Sequence, residues 1–151
     1  MLQVGEQAPA WSSLNELGEA VSSADLRGKR YVLYFYPRAN TAGCTREAVD
    51  FREGYPELEK LGVAVLGVSI DSVKRQYNFK EKHELPFSLL SDPDKKLVVP
   101  FGAKRDKPSA KRVTYIIAPD GRVEAVWSKV KVAGHVDEVL MKLRGLVGQH
   151  G

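Results

Sequence analysis

Apolar residues in this chain fall into runs and stripes of two different periods. Tyr31-Val32-Leu33-Tyr34-Phe35-Tyr36 is an unbroken β-branched and aromatic run, the pattern of a strand buried on both faces. Pro37 ends it, and a polar loop follows from Arg38 to Gly43. From there the period changes. Cys44, Ala48, Phe51, Tyr55 and Leu58 recur at spacings that bring them onto one helical face. Gly54 and Pro56 predict a kink or restart within that helix, and Leu61-Gly62 predicts its end. Val63 to Ile70 reads as a second buried strand, and Asp71 or Ser72 is placed to cap a charged helix over Val73–His83.

The second half continues the alternation. Phe87-Ser88-Leu89-Leu90 predicts a short strand, and Ser91-Asp92-Pro93 predicts a short helix with proline at its first position. Arg112 to Ile117 is another core strand, turned by Pro119-Asp120-Gly121 into a partner over Arg122–Trp127. Val136, Val139, Leu140, Leu143 and Val147 mark one face of a last helix. The first thirty residues read as short strands and turns. This order predicts an α/β fold: a mixed central sheet flanked by helices, with helices on both faces.

Composition narrows the classes. The chain has 151 residues, the size of one ordinary domain, with no repeat or linker to divide it. A hydrophobic share of 43% and a charged share of 28% suit a globular protein. No apolar run approaches the roughly 20 residues that span a bilayer. The start, Met1-Leu2-Gln3-Val4-Gly5-Glu6, has neither a basic segment nor an apolar core of a leader, so a cytoplasmic location and no membrane partner are expected. The net charge of +4 has its local maximum at Lys104-Arg105-Asp106-Lys107 and Lys111-Arg112. No basic stripe with interleaved aromatics accompanies it, so no nucleic-acid partner is expected and the segment reads as a solvated loop. His83, His135 and His150 stand far apart, and His150 lies in a tail expected to fray. No metal site is expected.

The chemistry concentrates on one residue. The chain has a single cysteine, so an intrachain disulfide is excluded. Pro37-Arg38-Ala39-Asn40-Thr41-Ala42-Gly43-Cys44 places that thiol in the first turn of a helix, where backbone N–H groups lack intrahelical partners. Cysteines in such places can fall from a pKa of about 8.5 to roughly 3.5–7.5, and the thiolate is the reactive form. Thr41 stands three residues upstream, close enough to aim a hydroxyl at the same volume, and Gly43 lets backbone approach a bound substrate. Taken alone, Cys44 reads first as a small buried apolar residue on the Phe51 and Tyr55 stripe. The loop turns the reading toward chemistry.

Proline, three residues, threonine, two residues and cysteine resembles the active-site signature of the peroxiredoxins. Tyr36-Pro37 through Cys44-Thr45-Arg46-Glu47-Ala48 is similar to the bacterioferritin-comigratory, or PrxQ, subfamily. The resemblance extends to Leu66-Gly67-Val68-Ser69-Ile70-Asp71, to Phe87 through Asp92 and to the strand beginning at Arg112. It implies a single thioredoxin-like domain over 1–151, and a thiol-dependent peroxidase that needs no cofactor. It implies that Cys44 attacks hydrogen peroxide or an organic hydroperoxide and becomes a sulfenic acid. Thr41 then matches the hydroxyl that contacts thiolate and peroxide, Pro37 the residue that shields the pocket, and Arg112 the guanidinium that stabilises both. Without the resemblance, Arg112 reads as a solvated residue at a strand start. Glu47 has two readings of equal weight, as a partner of a nearby arginine or as a carboxylate favouring the helix N-terminus. Arg46 reads as surface, and Trp11 and Trp127 as packing residues.

The chain departs from the family at the resolving cysteine. Many members carry it five residues after the first, where Val49 stands, and others in the helix matching Val73–His83. Resolution by an external thiol (thioredoxin, glutaredoxin or a small thiol) is therefore expected, in a chain expected to be monomeric. The alternative is a peroxide sensor or holdase-like binding protein switched by Cys44 oxidation. A thioredoxin-type disulfide exchanger would need a second thiol, and a cysteine hydrolase a basic partner that no feature nominates.

Overall fold

A computed structural model of the chain describes residues 1–148. Seven strands form one mixed sheet: β1 (Ser12–Asn15), β2 (Ala20–Ser22), β3 (Arg30–Phe35), β4 (Val63–Ser69), β5 (Ser88–Ser91), β6 (Val113–Ile117) and β7 (Val123–Trp127). Their spatial order is β2-β1-β5-β4-β3-β6-β7. The helices are α1 (Ala42–Lys60), α2 (Val73–His83) and α3 (His135–Gly148). The predicted α/β, thioredoxin-like arrangement is the one observed. His150 lies outside the described residues. No described helix is long and apolar enough to cross a membrane.

Alternation along β3 builds two cores. Val32, Tyr34 and Tyr36 enter one cluster, and Tyr31, Leu33 and Phe35 enter the other. Val32, Leu33 and Phe35 each contribute about 1.5–3 kcal/mol of transfer free energy by this burial. All three helices contribute to the first cluster, through Cys44, Ala48, Phe51 and Leu58 of α1, Phe79 of α2, and Val136 to Leu143 of α3. The helices thus gather on one face rather than two. Trp11 and the segment holding Leu97, Val98, Phe101, Ala103 and Ala110 cover the opposite face.

That covering segment was expected to begin with a helix at Pro93, and it forms turns instead. Lys95 adopts a left-handed φ of 60°, which breaks a right-handed helix almost as it starts. The Asp92 carboxylate accepts the N–H groups of Lys96, Leu97 and Val98 at 2.8–3.0 Å and organises the turns around itself.

The helix does not restart in α1, which runs through Gly54 and Pro56 as one element. Pro56 is exposed, so its ring lies on the solvent side of the helix. Gly62, with φ 74°, ends the helix as a left-handed C-terminal glycine. On α3, Leu146 rather than Val147 packs against the core. Ser72, not Asp71, caps α2, accepting the N–H of Arg75 at 3.2 Å.

Candidate active site

Strand directions decide which residues meet. β3 delivers the chain to the Pro37–Gly43 loop at its C-terminal end. β6 runs antiparallel to β3, with Val113 paired to Phe35. Arg112, one residue before β6, therefore stands at the end of the sheet where the loop emerges, although 68 positions separate it from Cys44. β4 is parallel to β3, with Val68 opposite Phe35, so Asp71 comes to the same end.

Cys44 lies in the first turn of α1 and is only 1% exposed. Its side chain joins Ala48 and Phe51 in the helix-side core, as the packing reading of this residue expects. Nη2 of Arg112 donates to Cys44 Sγ at 3.6 Å. Nη1 of the same guanidinium donates to Glu47 Oε1 at 2.8 Å. Glu47 is one turn beyond Cys44 and its side chain is fully buried, so one planar cation is held between a thiol and a carboxylate. The pairing reading of Glu47 is the one observed. Gly43 supports the arrangement: a Cβ there would lie 3.1 Å from Arg112 Nη2.

Thr41 is the N-cap residue of α1 and is exposed. Its hydroxyl donates to the Arg38 carbonyl at 2.9 Å rather than to the sulfur. Pro37 is half-buried at the start of the loop.

Burial dominates the electrostatics. It pushes the Glu47 carboxyl from 4.5 up to about 7, and the Arg112 charge and hydrogen bond only partly oppose it. Glu47 Oε2 has no hydrogen-bond partner among the described residues. His135, at the start of α3, is fully buried and shares a 2.8 Å hydrogen bond between Nε2 and Thr114 Oγ1. Burial, with the Arg112 charge adding to it, pulls this imidazole from 6.5 down to about 4, so it is neutral at physiological pH.

Two anchors of the loop escaped the sequence reading. Asp71, buried at the end of β4, accepts the Ala39 N–H at 2.7 Å and the Ser69 hydroxyl at 2.6 Å. Ser69 also accepts from Gln76 Nε2 at 3.0 Å, and the Gln76 carbonyl oxygen takes the Tyr36 hydroxyl. A buried chain of polar groups thus ties the loop to α2 and back to β3. The available signal was positional: a carboxylate just past a strand parallel to the one that feeds the reactive loop. The second anchor is Arg38, whose Nη2 donates to the Pro108 carbonyl at 3.2 Å.

No group of three or more metal-ligating side chains is present among the described residues. What the site offers is a single thiol held against a fixed cation at a helix N-terminus, an arrangement suited to an anionic nucleophile.

Several known proteins are similar to this chain along nearly its whole length. The model of the AhpC/TSA family matches residues 4–126. A protein of Coxiella burnetii is 45% identical over 149 residues, covering 94% of this chain and 99% of its own. The peroxiredoxin Bcp of Bacillus subtilis is 40% identical over 152 residues, covering 96% of this chain and 97% of its own. Peroxiredoxin Q of Xanthomonas campestris superposes with a TM-score of 0.87 at 38% identity, over 91% of each chain.

Proposed function

Because the chain belongs to the AhpC/TSA family and is a thiol peroxidase of its Bcp/PrxQ group, we propose that Cys44 is its peroxidatic nucleophile and works without a resolving cysteine. The Cys44 thiolate attacks the distal oxygen of a hydroperoxide. The S–O bond forms as the O–O bond breaks, and the departing oxygen takes a proton and leaves as water or an alcohol. Hydrogen peroxide and organic hydroperoxides are the proposed substrates.

The supporting observation is the guanidinium of Arg112, 3.6 Å from the sulfur. Charge builds on the departing oxygen in the transition state, and a donor already oriented there lowers the barrier without reorganisation. Arg112 also favours the attacking anion. Thr41 contributes its hydroxyl oxygen: its proton is committed to the Arg38 carbonyl, which leaves lone pairs to accept from a peroxide O–H. Pro37 shields the sulfur from bulk water, and the backbone around Gly43 completes the substrate pocket.

Resolution follows from the cysteine count. Val49 occupies the nearby position and α2 holds no cysteine, so the sulfenic acid has no partner within the chain. An external thiol, from thioredoxin, glutaredoxin or a small molecule, condenses with it and releases water. A second thiol then frees Cys44 and carries away the disulfide. One chain supplies Cys44, Arg112, Thr41 and Pro37, so the proposed working unit is a monomeric single domain.

Peroxide consumption with several thiol donors, on wild type and Cys44→Ser, tests the cycle. Turnover that depends on the donor and vanishes in Cys44→Ser is expected. If no donor restores oxidised Cys44, by mass spectrometry, the cycle fails. A peroxide-sensing role would then gain, and oxidation-dependent partner binding would test it.

A further inference from the structure

The whole net charge of the chain is concentrated beside the reactive loop. Between Lys104 and Arg112 stand five cations and one anion, a net +4 that equals the total for the protein. The structure connects this segment to the site at two points. Arg112 at its end touches Cys44 Sγ, and Arg38 from the reactive loop donates to the Pro108 carbonyl at its middle. The segment is also braced as a loop. Lys111 N–H donates to the Ala103 carbonyl at 2.7 Å across its base, and Arg105 Nε donates to Ser109 Oγ at 3.1 Å within it. That leaves Lys104, Lys107 and Lys111, all exposed, and none forms an ion pair among the described residues. The opposing charges nearby are few. Asp106 lies within the segment, Asp50 sits beside Arg46 at 4.0 Å, Asp71 is buried beside Arg75 at 3.6 Å, and Glu47 is engaged by Arg112.

We infer that this lysine-bearing loop is a docking rim for an anionic low-molecular-weight thiol, which resolves the Cys44 sulfenic acid. The inference rests on the one-cysteine cycle above and adds the class of its reductant. A neutral hydroperoxide gains little from a cationic rim, whereas an incoming thiol bearing carboxylate or sulfonate gains in every encounter. A small thiol also suits the access, since Cys44 is almost wholly covered and a bulky protein partner would require a wider opening. The atoms balance in two steps. The anionic thiol and the sulfenic acid give a mixed disulfide and water. A second molecule of the thiol attacks that disulfide, giving free Cys44 and the symmetrical disulfide of the reductant.

The test compares 2-mercaptoethanesulfonate (anionic), 2-mercaptoethanol (neutral) and cysteamine (cationic) as resolving thiols, with rate constants expressed per thiolate. The proteins are wild type, Lys104→Gln/Lys107→Gln/Lys111→Gln, and the corresponding triple glutamate variant. For lysines about 10 Å from the incoming anion, the sulfonate-to-neutral ratio should fall about 4-fold in the glutamine variant at 0.01 M ionic strength. It should fall further in the glutamate variant, and cysteamine should move the opposite way. In wild type alone, the ratio should shrink toward its salt-saturated value by 0.5 M salt, a readout that needs no variant. If none of the three thiols restores Cys44 while thioredoxin or glutaredoxin does, the inference falls and the one-cysteine cycle stands; if those protein thiols fail as well, both fall together. If all three restore it with ratios unmoved by the variants and by salt, the inference alone is overturned.

Discussion

Two buried groups beside the reactive site titrate in opposite senses, and their near-cancellation should be visible in protein stability. Burial raises Glu47 from 4.5 to about 7. The folded protein therefore binds its proton more tightly than the unfolded chain does. Stability from this group is fully present below pH 4.5 and is lost as pH rises through about 7. At about 1.4 kcal/mol per pH unit the interval corresponds to about 3 kcal/mol. His135 is drawn from 6.5 down to about 4, so the unfolded chain binds its proton more tightly. Its contribution is present above pH 6.5 and is lost as pH falls through about 4, again by about 3 kcal/mol. Between pH 4.5 and 6.5 the two slopes oppose each other, and the wild-type profile should be nearly flat. Glu47→Gln keeps an acceptor for Arg112 but cannot ionise. It should match wild type near pH 4, where Glu47 is neutral in both states, and exceed it by up to about 3 kcal/mol at pH 8. His135→Gln should uncover the opposite slope. Urea unfolding under reducing conditions at pH steps from 4 to 8 measures this, with midpoint differences of roughly 1–2 M expected at the upper end. A wild-type-to-Glu47→Gln difference that is constant across that range would refute the reasoning.

Three further outcomes follow from the site geometry. Arg112→Ala removes the oriented donor, and peroxide reduction should slow by roughly 10²–10³-fold in stopped-flow measurements, with thiol alkylation at neutral pH slowing alongside; equal alkylation rates would take Arg112 out of the site. Gly43→Ala puts a methyl 3.1 Å from Arg112 Nη2, so the guanidinium must shift. Peroxide reactivity should fall about 10-fold while urea stability changes by less than about 1 kcal/mol, and unchanged reactivity would show that the guanidinium tolerates the displacement. Asp71→Asn weakens the charge-assisted bond that holds Ala39 N–H at 2.7 Å. Hydrogen exchange at Ala39 should accelerate and peroxide reactivity decline, while Asp71→Glu should restore part of neither or both together; acceleration without loss of reactivity would separate the anchor from the chemistry.

Local pattern alone carried much of this molecule. The Tyr31–Tyr36 run, the stripe from Cys44 to Leu58 and the face from Val136 to Leu143 are one-dimensional signals, because burial on one or both sides repeats at the period of the element. The lone thiol at a strand-to-helix junction was legible for the same reason, and so was the lack of a second cysteine. Expectations failed where a local rule met a tertiary exception. Pro56 is tolerated because its helix face is wet, and the turn after Pro93 follows Asp92 and Lys95 rather than proline preference.

What only the tertiary structure decided is which distant residues share the sulfur's surroundings. The antiparallel register of β6 on β3 brings Arg112 to Cys44, and the parallel register of β4 brings Asp71 to Ala39. Glu47 acquires its partner, its missing solvent and its raised pKa from that same closure, and Gly43 its reason for lacking a side chain. Periodicity reports how each segment meets water. Contacts between segments depend on strand order and register, which are set by the packing of the sheet as a whole.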